Sequence, residues 1–178
     1  EVKKQYEESP YPRWTKNGFA NPFENLLAFK ETLNLKINDN KNNFKNDFNI
    51  LIAGCGTGKE TITTALRFPN SNIIAFDLSC SSVAYGLRKS KELGIKNIKF
   101  MIGDILELKS INKTFDIIEC SGVLHHMKNP TYGFEILSNL LKKHGLMKIS
   151  LYSEYGRRNI NIAKKIIEKA HLKTTKND

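Results

Sequence analysis

The sequence predicts an α/β fold in which a mostly parallel β-sheet carries helices on both faces. Short apolar runs recur along the chain, and stretches with helical periodicity and capping residues separate them. Strands that alternate with helices in this way form parallel sheets with the helices packed outside. With 178 residues, of which 40% are hydrophobic and 26% charged, the chain can form one domain with a substantial core. No apolar run approaches the roughly 20 residues of a membrane-spanning helix.

The residues before the first predicted strand form an N-terminal arm and a helix. Asn21 can cap this helix, and Pro22 fits its first turn. Residues 38–47 are rich in asparagine and lysine, which predicts a surface loop. We therefore separate an arm and helix at residues 1–48 from an α/β core at residues 49–156.

Five apolar runs are the predicted strands of the core. Each run is short and is bounded by glycine or polar residues, as is typical of buried parallel strands. The runs cover residues 50–53, 72–76, 98–102, 115–120 and 146–151. Helical patterns lie between most of them, which is the alternation that the fold class requires.

Capping signals predict where the helices of the core begin and end. Thr57 and Glu60 have the spacing of a capping box. Ser79 can cap the next helix, which we expect to end at Gly94. Asn129 can cap a later helix, expected to end in the basic run KKH before the last strand.

Residues 157–178 predict a basic C-terminal helix of the same domain. Its apolar residues would cover the sheet, and its basic side chains would face solvent. Residues 122–178 carry 11 basic and 4 acidic residues and so hold most of the net charge of +10. Because the chain has 23 lysines against 5 arginines, a bias in nucleotide composition explains this excess, and a nucleic-acid partner is possible but not favoured.

The cysteines indicate the cellular compartment of the protein, and the first residue indicates whether the chain is part of a longer one. Three widely spaced cysteines do not form a disulfide framework, and no signal peptide opens the sequence. We therefore expect a cytoplasmic protein without a membrane segment. Because the chain begins at Glu1 and not at Met, we expect it to be part of a longer protein.

The glycine-rich segment GCGTG follows the first strand and is the most informative part of the sequence. Glycines at a strand-to-helix turn let the backbone turn tightly and let a ligand approach closely. A phosphate-binding loop would have a glycine in place of Ala53 and a hydroxyl residue in place of Glu60. A dinucleotide-binding fingerprint would have its third glycine in place of Lys59. The pattern that remains is GxGxG, formed by Gly54, Gly56 and Gly58.

Two acidic residues follow the next two strands. Asp77 closes the second predicted strand, and Asp104 comes just after the third. Their carboxylates can accept hydrogen bonds from hydroxyl and amino groups, so with the glycine loop they would form a pocket for an adenosine that carries no phosphate. The alternative is that each acid only caps the helix that follows it.

Four motifs occur along the core in the order ILIAGCGTG, AFDLS, GDILEL and FDIIECSGVLHHM. In this order and spacing, residues 49–153 resemble the class I S-adenosylmethionine-dependent methyltransferases. The segments PYPRW and GLMKISLYSEYGRR make the chain most similar to bacterial methyltransferase domains associated with tetratricopeptide repeats. The resemblance implies a three-layer, Rossmann-like methyltransferase sheet. It also implies S-adenosylmethionine as the cofactor, with S-adenosylhomocysteine as its product.

The resemblance further implies which residues hold the cofactor. Asp77 would accept hydrogen bonds from the ribose hydroxyls, and Asp104 would accept one from the adenine amino group. The implied cofactor-binding residues are Ala53, Gly54, Cys55, Gly56, Gly58, Asp77, Leu78, Asp104, Ile105 and Cys120. We expect no metal site, because the three cysteines form no CxxC pair.

The chain departs from the family in two places. Many members carry an acid two residues before the first glycine, and this position is Ile52 here. The β-hairpin that normally ends the family's sheet is expected to be missing, since the residues after Tyr155 have a helical pattern. A cofactor-binding or interaction module without catalysis is therefore an alternative to an active methyltransferase.

The residues after the fourth strand would face the methyl group and an acceptor that the sequence does not identify. Methyl transfer from a sulfonium is an in-line displacement, so a site supplies alignment, desolvation and sometimes a base. His125 and His126 are the candidates for this base, with local packing as the alternative. Glu119 would meet the cofactor's amino group or point at solvent. Arg13 and Trp14 would fold over the cleft, or else pack on the domain.

Overall fold

The structure is a computed structural model that describes residues 2–16, 18, 21–23 and 47–170. The helices are α1 (Val2–Glu8), α2 (Lys59–Arg67), α3 (Cys80–Glu92), α4 (Pro130–Asn139) and α5 (Arg158–Lys169), with 3₁₀ helices at Ile105–Ser110 and Leu124–His126. The strands are β1 (Asn49–Ala53), β2 (Asn72–Asp77), β3 (Ile98–Ile102), β4 (Phe115–Ser121) and β5 (Leu141–Ser150). None of these helices combines the length and the apolar character that a membrane span requires.

The five strands of the described part form one parallel sheet in the order β3-β2-β1-β4-β5. The chain adds β2 and β3 on one side of β1 and then returns to add β4 and β5 on the other side. The carboxyl ends of β1 and β4 therefore flank the point where the direction of winding changes, which is where open α/β sheets bind ligands. The predicted fold class is confirmed.

Apolar side chains on the two faces of the sheet form two buried clusters. Ile50, Ile52 and Ile117 belong to the cluster between the sheet and helices α2 and α3. Leu51 and Ile118 belong to the cluster between the sheet and α4. Because successive strand residues face opposite sides, continuous apolar runs are what a sheet covered on both faces needs. The result is the predicted three-layer arrangement.

Strand β5 begins earlier than predicted, and the expected end of α4 is wrong. Helix α4 ends at Asn139, and Lys142, Lys143 and His144 lie in β5. The Lys142 ammonium lies 2.7 Å from the Asp116 carboxylate on β4, which joins the first part of β5 to the sheet. Basic residues are common at helix ends, but here a contact with a distant strand decides their conformation.

The capping box predicted at the start of α2 is also wrong. The N-cap of α2 is Gly58, which has no side chain with which to cap the helix. The Thr57 hydroxyl donates instead to the carbonyl oxygen of Pro12 at 2.5 Å, so it holds the N-terminal arm. The predicted caps Ser79 and Asn129 are confirmed at the starts of α3 and α4.

The C-terminal helix α5 does not cover the sheet as predicted. Each of its side chains is exposed, including those of Ile160, Ile166 and Ile167. An amphipathic pattern defines an apolar stripe but does not define the surface against which the stripe packs. The helix predicted after Asn21 and most of the loop predicted at residues 38–47 lie outside the described residues. The division of the chain at residues 48 and 156 stays a prediction.

We expect Asp116→Ala to destabilise the fold more than Lys142→Ala. The Asp116 carboxylate accepts the Asn49 backbone N–H at 2.8 Å as well as the Lys142 ammonium, so it joins β1, β4 and β5. Without the carboxylate this N–H loses its partner, which should lower the free energy of unfolding by roughly 1–3 kcal/mol. Losing Lys142 breaks only a solvent-accessible ion pair and should cost about 0.2–1 kcal/mol. Urea denaturation measures both losses, and equal values would contradict the anchoring of β1 by Asp116.

Candidate functional site

A cavity of about 450 Å³ opens at the carboxyl ends of β1, β2 and β4. The glycine loop after β1, the end of β2 and the loop after β4 line it. Residues of the N-terminal arm also line it. The cavity therefore lies at the edge of the sheet where the strand order predicts a ligand site.

Backbone hydrogen bonds hold the glycine loop against the end of β2. The N–H groups of Gly54 and Cys55 both donate to the carbonyl oxygen of Phe76, at 2.9 and 3.0 Å. Gly54 has a φ of 75°, and a Cβ atom at this position would lie 2.1 Å from Cγ2 of Val123. The glycine is therefore required both by its backbone conformation and by the close approach of the loops after β1 and β4.

The Asp77 carboxylate links the glycine loop to the start of α3. Its Oδ2 atom accepts the Gly56 N–H at 2.8 Å, and its Oδ1 atom accepts the Ser79 N–H at 2.9 Å. Asp77 is not the cap of α3, because the Ser79 hydroxyl fills that role by accepting the Ser82 N–H at 3.1 Å. The carboxylate also lines the cavity, so its remaining lone pairs can accept hydrogen bonds from a ligand.

The Asp104 carboxylate both caps a helix and lines the cavity. Its Oδ1 atom accepts the Leu106 N–H at 2.9 Å and so caps the 3₁₀ helix Ile105–Ser110. The Glu107 carboxylate completes a capping box by accepting the Asp104 N–H at 3.3 Å. The capping alternative is thus true of Asp104, whose carboxylate also lines the cavity.

Seven of the ten predicted cofactor-binding residues line the cavity: Gly54, Cys55, Gly56, Asp77, Leu78, Asp104 and Ile105. Ala53, Gly58 and Cys120 do not line it. Ala53 and Cys120 are buried in the core between the sheet and α4. Gly58 lies against α3, where a Cβ atom would be 3.0 Å from Cα of Gly86. These three residues support the cavity wall from behind.

The three cysteines differ in their surroundings. Burial raises the pKa of the Cys55 thiol well above its usual range and that of the Cys120 thiol to about 11, so both are neutral near pH 7. Cys80 is exposed at the start of α3. No group of three or more potential metal ligands occurs among the residues that the structure describes. The expectation of no metal site stays a prediction.

Of the two predicted histidines, His126 lines the cavity and His125 does not. The ring of His125 stacks on that of Tyr152, with 3.8 Å between their centroids, and lies 4.3 Å from the ring of His126. Within the described residues neither ring nitrogen of His125 has a hydrogen-bond partner, and burial lowers its pKa. His125 therefore packs as a neutral ring, while His126 remains available to a ligand.

Glu119 is a buried acid on the wall of the cavity. It is 8% exposed and accepts hydrogen bonds from the Thr64 hydroxyl at 3.1 and 3.3 Å. Burial raises the pKa of its carboxyl group. Of the two orientations expected for Glu119, the one toward solvent is wrong.

The N-terminal arm contributes a part of the site that the sequence indicated only through Arg13 and Trp14. The arm residues that line the cavity are Lys3, Tyr6, Tyr11 and Pro12. Trp14 is buried and donates its indole N–H to the carbonyl oxygen of Thr57 at 3.2 Å. Arg13 does not line the cavity, so the arm packs on the domain through Trp14. In the sequence, the aromatic residues of YPRW within a charged segment were the feature that could indicate this packing of the arm.

We expect Glu7→Ala to loosen the packing of the N-terminal arm on the domain. The control is Glu8→Ala at the exposed neighbouring residue, which should leave the arm in place. The Glu7 carboxylate accepts the Ser81 hydroxyl and the N–H groups of Ser81 and Cys80, and these bonds lower its pKa from 4.5 to about 2. Trp14 is the sole tryptophan of the sequence, so its fluorescence reports docking of the arm. In Glu7→Ala its emission should shift to longer wavelength and become easier to quench.

The same contact predicts a pH dependence. Because the folded-state pKa of Glu7 lies below the ordinary value of 4.5, the stabilisation is present above that pH and is lost as the pH falls through about 2. The difference in Trp14 emission between the wild type and Glu7→Ala should therefore shrink over this range. A difference that persists below pH 2 would contradict the role of the carboxylate.

Known proteins share this fold and parts of this sequence. An alignment of 111 residues covers 62% of this chain and 40% of malonyl-[acyl-carrier protein] O-methyltransferase 2 of Ilyobacter polytropus. Over this alignment the two sequences are 33% identical. PKMT2 of Rickettsia typhi in complex with AdoHcy superposes with a TM-score of 0.63 and 25% identity, over 72% of this chain and 26% of that one. An S-adenosylmethionine-dependent methyltransferase of Clostridium acetobutylicum superposes with a TM-score of 0.57 and 27% identity, over 65% of this chain and 47% of that one.

The sequence profile of one domain family matches most of the chain. The chain spans 19% to 56% of the length of the curated relatives compared with it, so their shared part is a domain. The profile described as a methyltransferase domain matches residues 44–177, which include the glycine loop and all five strands. The chain therefore belongs to the methyltransferase domain family and has the Rossmann-like fold of S-adenosylmethionine-dependent methyltransferases.

Proposed function

We propose that this domain binds S-adenosylmethionine in the cavity and transfers its methyl group to an acceptor by in-line displacement. The observation that carries the proposal is the Asp77 carboxylate, which lines the cavity and holds the glycine loop through the Gly56 N–H. A carboxylate at the end of β2 suits the two hydroxyls of a ribose, and the glycine loop leaves room for the cofactor to lie against the backbone.

The chemistry of the cavity fits an adenosine better than a nucleoside phosphate. Asp77 and Asp104 are both acidic, so they favour hydroxyl and amino donors and repel phosphate. Leu78 and Ile105 also line the cavity and offer apolar surface to a flat base. We assign Asp77 to the ribose and Asp104 to the adenine amino group on this basis.

The bound cofactor would supply an electrophilic methyl group on a sulfonium. The residues of this chain would contribute positioning, exclusion of water and, for some acceptors, removal of a proton. His126 lies on the cavity wall with Tyr152 and is our candidate for the proton acceptor. His125 would help to position Tyr152 through ring stacking.

The remaining parts of the proposal concern partners and location. The small share of arginine among the basic residues argues against a nucleic acid as the methyl acceptor. The resemblance of PYPRW and GLMKISLYSEYGRR supports attachment to a tetratricopeptide-repeat region in the full-length protein. The absence of a disulfide framework supports a cytoplasmic location.

A second candidate function is a cofactor-binding module without catalysis. Ile52 favours it, because an apolar residue stands where many relatives carry an acid near the methionine end of the cofactor. The two functions differ in methyl transfer and not in cofactor binding. Each is therefore tested by its own measurement.

We expect S-adenosylhomocysteine to raise the melting temperature of the domain and ATP with Mg²⁺ to leave it unchanged. A ligand present at 100 times its Kd stabilises a fold by about 2.7 kcal/mol. Asp77→Ala should abolish the shift, since it removes the ribose acceptor and frees the glycine loop. Asp104→Ser should keep the helix cap and still weaken binding about tenfold, because Ser can cap but cannot reach the adenine. Stabilisation by ATP alone would contradict the proposal.

We expect His126→Ala to reduce methyl transfer about a hundredfold or more without weakening the binding of S-adenosylhomocysteine. The measurement is transfer of labelled methyl groups from S-adenosylmethionine into fractionated cell extract. His144→Ala, at an exposed histidine of β5 that does not line the cavity, is the matched control and should leave transfer unchanged. Transfer that is unchanged in His126→Ala would contradict a role as base. Cofactor binding by the wild type without any transfer would favour the non-catalytic module.

A further inference from the structure

Ile52 and Glu119 lie side by side on neighbouring strands. They are direct partners in the parallel register of β1 and β4. Register partners in a parallel pair point to the same face of the sheet, about 4.8 Å apart. Both side chains line the cavity. Glu119 on β4 therefore lies beside Ile52 of β1, the position at which many relatives carry an acid.

Glu119 has no cationic partner within hydrogen-bonding distance among the described residues. Within the part of the chain that the structure describes, its hydrogen bonds come from the neutral Thr64 hydroxyl on α2. Lys148, its register partner on β5, and Arg67 on α2 attract its charge at longer range, and the Lys148 ammonium lies 3.7 Å from the Glu60 carboxylate. An ionised carboxylate that is buried without a hydrogen-bonded cation is costly, and this cost is relieved when a cation binds beside it. The open side of Glu119 is the cavity.

The strand order indicates which positively charged group of the proposed cofactor would lie next to Glu119. Asp77 ends β2, and Asp104 follows β3, so an adenosine held by both lies over that half of the sheet. The amino-acid end of the same molecule must then extend across β1 toward β4. Glu119 lies on β4 at the far end of this path.

We propose that Glu119 binds the ammonium group at the amino-acid end of S-adenosylmethionine and replaces the acid that is absent at Ile52. The proposal rests on the proposed function, since it assigns a part of the same cofactor. Thr64 orients the carboxylate through its hydroxyl. The apolar residue at position 52 is then no obstacle to tight binding, because the charge comes from the neighbouring strand.

The experiment compares two ligands that differ only in the amino group. One is S-adenosylhomocysteine, and the other is 5′-S-(3-carboxypropyl)-5′-thioadenosine, which is the same molecule without that group. Calorimetry gives the Kd of each for the wild type, Glu119→Gln and Glu135→Gln. Glu135 is an exposed acid on α4 outside the cavity, so Glu135→Gln controls for a change of net charge.

We expect Glu119→Gln to weaken the binding of S-adenosylhomocysteine about tenfold to a hundredfold, the effect of losing a hydrogen bond between charged groups. The binding of the deaminated ligand should change less than about twofold. Glu135→Gln should bind both ligands as the wild type does. An equal loss for both ligands, or no loss for S-adenosylhomocysteine, would overturn the assignment.

Restoring the acid on β1 gives a second test. Ile52→Asp in the Glu119→Gln background should recover the preference for the ligand with the amino group, and a folded variant without this recovery would count against the assignment. If this variant does not fold, the comparison of the two ligands with Glu119→Gln still decides. Failure of the wild type to bind either ligand would instead refute the proposed function itself, and with it this assignment.

Discussion

The carboxyl edge of the sheet depends on the hydrogen bonds of one carboxylate. Asp77 ends β2 and accepts N–H groups from the loop after β1 and from the residue that caps α3. The glycine loop has few side chains, so its backbone N–H groups are the means by which neighbouring strands can fix its position. Asp77 is therefore structural and ligand-facing at once. A change at this residue alters both the shape of the cavity and its chemistry.

Helix α3 connects this carboxylate to the N-terminal arm. Its first N–H groups have no partners within the helix, and other side chains satisfy them. Glu7 accepts those of Cys80 and Ser81, and the Ser79 hydroxyl accepts that of Ser82. Negative charge is favourable at a helix N-terminus, which adds to the docking of the arm. Because α1 also brings Tyr6 to the cavity, docking of the arm and the shape of the site are coupled.

Three of the acids that line the cavity come from three different strands or strand ends and not from one motif. Asp77 ends β2, Asp104 follows β3, and Glu119 lies in β4 beside Ile52 of β1. In a parallel sheet an acid on one strand can take the place of an acid that is missing from the neighbouring strand, since the side chains of register partners lie next to each other on the same face. The charge that a site needs can therefore come from an adjacent strand when the expected residue is apolar.

The sequence by itself determined the alternation of strands and helices, the glycine loop, the caps Ser79 and Asn129, and the acids Asp77 and Asp104. These features depend on residues a few positions apart, so local patterns specify them. The tertiary structure alone decided that Lys142 belongs to a strand and that Thr57 holds the arm. It also decided that Glu119 is buried beside Ile52, that Cys120 lies behind the cavity, and that α5 leaves its apolar stripe exposed. The physical reason is that each of these outcomes is set by which distant segments meet in the fold, and local periodicity carries no information about such contacts.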